Sequence, residues 1–154
     1  MIRMTLAALA VVTPAMALAQ DGLAIRDAHV RSANPRNAAA FMVIENRGGA
    51  DCRLTGASSD VAERIELHTH SEQDGVMRMR RIEGGIDIPA GSDHALARGG
   101  DHVMLMGLAR PLKDGDSVAL TLDFGPCGTQ QVEAVLDNRR AAPVPMSHGG
   151  HASH

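Results

Sequence analysis

The chain has no tryptophan and no tyrosine, and phenylalanine occurs only twice in 154 residues. Aromatic faces stack on bases and sugar rings, so their scarcity argues against single-stranded nucleic-acid binding. An excess of basic charge is missing too: 15 Lys+Arg against 18 Asp+Glu leave a net charge of −3. Such a balance supplies no field for phosphates or acidic lipids. No apolar stretch reaches the ~20 residues that a membrane-spanning helix needs, so membrane insertion is not expected. No Ser/His/Asp set, carboxylate pair or phosphate-binding glycine loop is evident, which leaves little basis for an enzyme. At 44% hydrophobic and 21% charged the chain can still build a core, and its length suits one domain. Val, Ile, Leu, Ala and Met must fill that core. What is abundant is sulfur and imidazole: nine methionines and eight histidines.

The first residues read as a secretory signal peptide. Arg3 precedes a short apolar run over residues 4–12, and Ala17-Leu18-Ala19 supplies an A-x-A exit before Gln20. Cleavage is expected after Ala19, giving an exported, soluble, periplasmic protein. Export changes how Cys52 and Cys127 are read. In an oxidising compartment two cysteines so far apart are expected to form a disulfide rather than bind metal. Such a bridge would stabilise by roughly 4 kcal/mol in the loop-entropy model.

Period-two alternation dominates the rest. Strands are expected over 25–30, 41–44, 54–57, 65–70, 76–82, 86–88, 102–108, 118–124 and 131–136. Pro89-Ala90-Gly91 should stop the strand before it. Residues 60–63 are expected to add a helical turn. Many short strands with frequent turn signals predict an all-β, antiparallel Greek-key β-sandwich. The chain thus divides into a signal peptide (1–19), a β-sandwich domain (20–138) and a disordered tail (139–154) of low apolar content.

Two clusters carry candidate chemistry. Residues two apart on a strand share a face, so His68 and His70 point together, as do Met77 and Met79. Asp74-Gly75 signals a tight turn, so these strands should form a hairpin. One register sets His68 opposite Met79, and a shift by two sets His70 there instead. In the second cluster His102, Met104 and Met106 share a face, with Val103 and Leu105 turned inward. Imidazole plus thioether is a soft, uncharged donor set that suits Cu(I). Methionine is not a usual zinc ligand, and a blue-copper site would need a cysteine thiolate beside its histidines. The competing reading is that Met77, Met79, Met104 and Met106 simply fill a core short of aromatics. Arg78 and Arg80 read as a solvated strand face, His29 and His94 as surface or hydrogen-bonded histidines, and Met42 as core.

The segment 66–124 resembles the periplasmic copper chaperone family PCuAC. That family's pattern is a histidine, ten residues, a methionine, about twenty more, then His-x-Met. Here it stands as His68, ten residues, Met79, twenty-two residues and His102-Val103-Met104. Gly75-Val76-Met77-Arg78-Met79-Arg80 and Pro111-Leu112-Lys113-Asp114-Gly115-Asp116 match the surrounding text. The resemblance implies a cupredoxin-like sandwich that binds Cu(I) through His68, Met79, His102 and Met104. It implies delivery of copper toward cytochrome c oxidase (CuA or CuB), alongside a Sco-type assembly factor. Family members often carry methionine where this chain has His70, which makes His70 a candidate Cu(II) ligand. Met146, His148, His151 and His154 form a second candidate Cu(II) site in the tail. The protein is expected to be monomeric, with copper-bridged dimers open to it because the site is exposed. Copper storage or detoxification, and a copper redox enzyme, are the competing functions.

Overall fold

Alternating and continuous apolar runs become strands almost throughout the computed structural model, which describes residues 22–140. The expected leader and Met146, His148, His151 and His154 lie outside the described residues. The strands are β1 (Leu23–Asn34), β2 (Asn37–Asn46), β3 (Cys52–Leu54), β4 (Gly56–Ser58), β5 (Ala62–Gln73), β6 (Val76–Arg81), β7 (Ile86–Ile88), β8 (Asp93–Leu96), β9 (His102–Leu108), β10 (Ser117–Asp123) and β11 (Thr129–Leu136). One short 3₁₀ turn, η1 (Gly125–Cys127), interrupts them. The large sheet runs β4-β10-β11-β1-β2-β9-β5-β6, with β8 also pairing β2, while β3 and β7 form a separate two-stranded sheet. The expected all-β sandwich is what forms. Its pairings are antiparallel except between β1 and β11, where His29 faces Val135 in parallel register.

Burial follows each strand's place in the sheet. In β10, Val118, Leu120 and Leu122 turn inward while Ser117, Ala119 and Asp123 stay exposed, the period of a strand with one wet face. Strand β2 lies centrally and is buried continuously from Ala40 to Asn46. The core joins Met42 and Ile44 of β2 to Val103 and Leu105 of β9, Phe124, and Leu54, Ile86 and Ile88 of the small sheet. Met42 is fully buried, as expected. The Cys52–Cys127 disulfide forms, with Cα atoms 5.9 Å apart, and fastens the start of β3 to η1.

Local expectations fail at three places. Residues 60–63 make no helical turn: Asp60 and Val61 form a tight turn and β5 starts at Ala62. The single strand expected over 54–57 is two, because Thr55 leaves one sheet for the other. Its N–H and hydroxyl both donate to the Asp123 carbonyl, at 2.8 and 3.1 Å. Strand β8 was not expected after the Pro89–Gly91 stop, yet it pairs Met42–Glu45 of β2; its polar sequence carries little strand propensity of its own.

Candidate metal centre

Four neighbouring strands bring the chemistry-bearing residues to one face of the large sheet. Strand β9 lies between β2 and β5, so Met104 stands across from Ala39 on one side and Glu66 on the other. His68 faces His102 across the β5–β9 pair. The β5–β6 hairpin turns at Asp74 (φ 54°) and Gly75 (φ 76°), the left-handed conformation a two-residue hairpin loop demands. Its register resolves the open choice: His70 stands opposite Met79, and His68 opposite Arg81. The Ile82 N–H donates to the Leu67 carbonyl at 2.8 Å, which makes that pair hydrogen-bonded. By alternation His70 and Met79 form a non-hydrogen-bonded pair, the closer kind for side chains.

The donor atoms can be assigned from their partners. The Nδ1 of His102 lies 3.1 Å from the Gly100 carbonyl. A carbonyl only accepts, so Nδ1 carries the proton and the neutral ring keeps its lone pair on Nε2. His102 is 1% exposed. Burial holds its pKa below the ordinary imidazole value, and neighbouring His70 and His68 act the same way. The ring is thus kept neutral, the form that can ligate a metal. The Nε2 of His68 lies 2.9 Å from Glu66 Oε2. The His68 hydrogen bond and Arg81 hold the Glu66 carboxyl below its usual range, so Glu66 is an ionised acceptor. His68 therefore donates through Nε2, which leaves Nδ1 as the nitrogen whose lone pair the neutral ring offers. That Nδ1 is buried without a hydrogen-bond partner, as is Nδ1 of His70. Buried polar atoms are normally satisfied; these two orphans belong to residues on one face of β5, while His29 Nε2 and Ser71 Oγ are unpartnered elsewhere.

An open cavity of about 260 Å³ is lined by His70, Met79, His102 and Met104, with Arg31 and Arg98 among the residues at its margin. The His70 and His102 rings stack with centroids 5.1 Å apart, and His68 lies 6.0 Å from His102. His68 itself is set beside this cavity rather than in its lining. Met79 is 47% exposed, while Met104 is half-buried. Among the described residues no three His, Cys, Asp or Glu side chains are arranged to hold an ion by themselves. A site on this face therefore needs the methionine sulfurs to complete it. The donor set fits copper in its soft, reduced form.

Of the residues expected as ligands, Met79, His102 and Met104 line the cavity together with His70, and His68 does not; two further features differ from expectation. His102 is buried rather than outward-facing, because Phe41, at 6.1 Å, and the His68 and His70 rings cover it. Glu66 went unread, although two residues before His68 it shares that face. His29 is hydrogen-bonded, Nδ1 to the Asp27 carbonyl at 3.0 Å, but buried rather than at the surface. His94 pairs with Asp101 at 2.9 Å. Arg78 and Arg80 are exposed, as expected.

Comparison with known proteins gives a consistent picture. The family model described as LpqE-like matches residues 23–136. Lxx21020 of Leifsonia xyli subsp. xyli, which bears a lipoprotein name, is 38% identical over 112 residues, covering 73% of this chain and 68% of that protein. The solution structure of apo-DR1885 from Deinococcus radiodurans is 31% identical with a TM-score of 0.57, covering 93% of this chain and all (100%) of that one. Its CuI form is 34% identical with a TM-score of 0.58, covering 77% and 82%. The copper-bound PCuAC domain from PmoF2 shares the fold, with a TM-score of 0.62 at 23% identity over 79% of this chain and 94% of that domain.

Proposed function

This chain belongs to the LpqE-like family and has the fold of the PCuAC domains, and from that premise we propose that it is an exported copper chaperone. Cu(I) is held by His68 through Nδ1, Met79, His102 through Nε2, and Met104. The observation that carries the reading is a cavity lined by the His70 and His102 imidazoles and the Met79 and Met104 thioethers, with the unpartnered Nδ1 of His68 on the same strand face as His70. Glu66 acts behind His68 as the carboxylate that orients a metal-binding imidazole and fixes its tautomer. His70 joins when the ion is Cu(II), which favours nitrogen over thioether donors. The copper-bound PmoF2 domain and CuI-DR1885 support the choice of metal.

Transport rather than storage or catalysis suits this geometry. Half-exposed Met79 can be exchanged for a partner's ligand without opening the core, and two thioethers disfavour redox cycling by stabilising Cu(I). The recipient is the copper site of cytochrome c oxidase or its Sco-type assembly factor, a reading that rests on the PCuAC resemblance. Periplasmic export rests on the leader and is supported by the disulfide. The relatives' lipoprotein name does not transfer through these cysteines, since both are bonded to each other. The tail residues Met146, His148, His151 and His154 supply a second, Cu(II) site. Its attachment supports this: the Arg140 carbonyl accepts from Arg31 Nη1 at 3.1 Å, and Arg31 borders the cavity.

Competition titration against a chromophoric Cu(I) chelator tests the assignment. His68→Ala combined with Met104→Leu should weaken Cu(I) binding by at least ~100-fold, and unchanged affinity would refute it. Transfer to an oxidase CuA domain separates a carrier from a sink, which would keep its ion.

A further inference from the structure

Among the described residues β6 ends the large sheet, and all six of its residues are exposed. The hydrogen-bonding phase set by Leu67 and Ile82 points the backbone groups of Val76, Arg78 and Arg80 toward β5. It leaves N–H and C=O of Met77, Met79 and Arg81 along the open edge. An unpaired edge is a template for another strand. The side chains of Met77, Met79 and Arg81 share the His68–His70 face. Those of Val76, Arg78 and Arg80 lie on the other, across from Gln73, Ser71 and Thr69. These partners are neutral. Among the described residues neither Arg78 nor Arg80 meets a carboxylate, and Arg80 binds only Gln73 Oε1, at 2.7 Å. A second copy laid on this edge would set arginines against arginines, and like charges across a strand pair are destabilising. The same charges admit an acidic strand.

We propose that the β6 edge is the docking site for an extended acidic segment of the protein that exchanges copper with this one. The inference rests on the copper reading and names the chemistry of its partner. The segment adds to the sheet beyond β6, its backbone paired with Met77, Met79 and Arg81 and its carboxylates with Arg78 and Arg80. Cross-strand neighbours hold their Cβ atoms about 5 Å apart. A soft ligand on the added strand, opposite Met79, therefore lies within reach of that thioether, in a hydrogen-bonded pair slightly wider than the Met79–His70 pair on the other side. Ligand exchange then needs no opening of the fold. Arg31 and Arg98 also line the cavity and add cationic groups at this end of the molecule, beside the carboxylates Glu66 and Asp101 that are already paired with Arg81 and His94. The edge backbone selects polypeptide, since a lipid headgroup or free anion has no ladder to offer it.

The probe is a capped, strand-length peptide alternating valine and glutamate, with a valine–lysine peptide as control, added to the metal-free full chain. Amide hydrogen exchange by NMR should slow at Met77, Met79 and Arg81 with the glutamate peptide alone. Arg78→Glu/Arg80→Glu should weaken binding at least ~10-fold, consistent with loss of two charge-assisted contacts, and Arg78→Gln/Arg80→Gln by less. The inference is overturned if those amides stay unprotected or both peptides bind alike. Charge reversal without effect, or the same protection from self-association without peptide, overturns it equally. Cu(I) affinity of the charge-reversed variant should match wild type. A wild-type protein that binds no Cu(I) defeats the copper reading instead, and the peptide result remains legible on its own.

Discussion

Breaking the Cys52–Cys127 bridge perturbs this fold in a way whose size can be worked out beforehand. The bridge closes a 75-residue separation. In the loop-entropy treatment that removes about 15 cal/mol/K from the unfolded chain, or about 4.5 kcal/mol at 25 °C. A domain of this size is stable by only ~5–15 kcal/mol in total. Packing should add little to the loss. Cavities of about 420 and 590 Å³ flank the disulfide, so the sulfurs are not tightly enclosed. The small sheet that Cys52 begins keeps its buried anchors Leu54, Ile86 and Ile88. Cys52→Ala/Cys127→Ala should therefore lower the denaturant-unfolding free energy by about 4 kcal/mol. At ~4 °C per kcal/mol, Tm should fall by roughly 15 °C. Copper binding should be untouched within about threefold, because no residue lining those cavities lines the His/Met cavity. A stability loss under ~1.5 kcal/mol would mean that the unbridged chain is already constrained by residual structure. It would refute the entropic account, and a tenfold change in Cu(I) affinity would refute the independence of the two ends.

Three further outcomes follow from named contacts. Glu66→Leu frees the His68 ring, and Cu(I) affinity should fall about tenfold with the circular-dichroism spectrum unchanged, the size expected for an outer-sphere carboxylate; equal affinity would remove Nδ1 of His68 from the ligand set. Because burial lowers the folded-state pKa of His102, the unfolded chain binds more protons as pH drops below about 6.5. Stability of the metal-free protein is thus full above that pH and declines on acidification, and His102→Gln should flatten the decline in denaturation curves recorded between pH 7.5 and 5. Gly107 has φ +70°, and a Cβ there would lie 2.9 Å from Glu63 Oε2 and 3.1 Å from Glu63 Cβ. Gly107→Ala should accordingly cost ~1–3 kcal/mol, read as a drop in Tm, and no change would show that β9 relaxes freely at this point.

The sandwich was legible because its strands keep their alternation: Val118, Leu120 and Leu122 of β10, or Val103 and Leu105 of β9, point inward wherever the strand is placed. The misreadings occur where tertiary context overrides a local pattern. Strand β8 has a polar sequence and exists because β2 offers Met42–Glu45 as a template. The β1–β11 parallel pair joins strands at opposite ends of the chain, a pairing no local signal announces. A bulge at Asp27, φ 58°, shifts the β1 register between Arg26 and His29. It thereby turns His29 onto the Phe41 face, where the two rings lie 5.5 Å apart.

At the candidate centre, spacing could say which residues share a face but not which strand lies beside them. His68 and His102 are opposed only because β9 runs between β2 and β5, and that order also buries His102, which its own strand pattern leaves outside. The hairpin register has a chemical consequence. With His70 rather than His68 across from Met79, the exposed thioether and one of the two cavity-lining imidazoles stand opposite each other on neighbouring strands. His68 stands behind, oriented by Glu66. An ion bound as proposed would meet exposed Met79 and, across the strand pair, His70, with His102 more deeply buried. On this arrangement His70→Met should leave the Cu(I) affinity near wild type while weakening Cu(II) binding, since it exchanges a nitrogen donor for sulfur without touching His68. Equal loss of both oxidation states would instead place His70 in the Cu(I) ligand set.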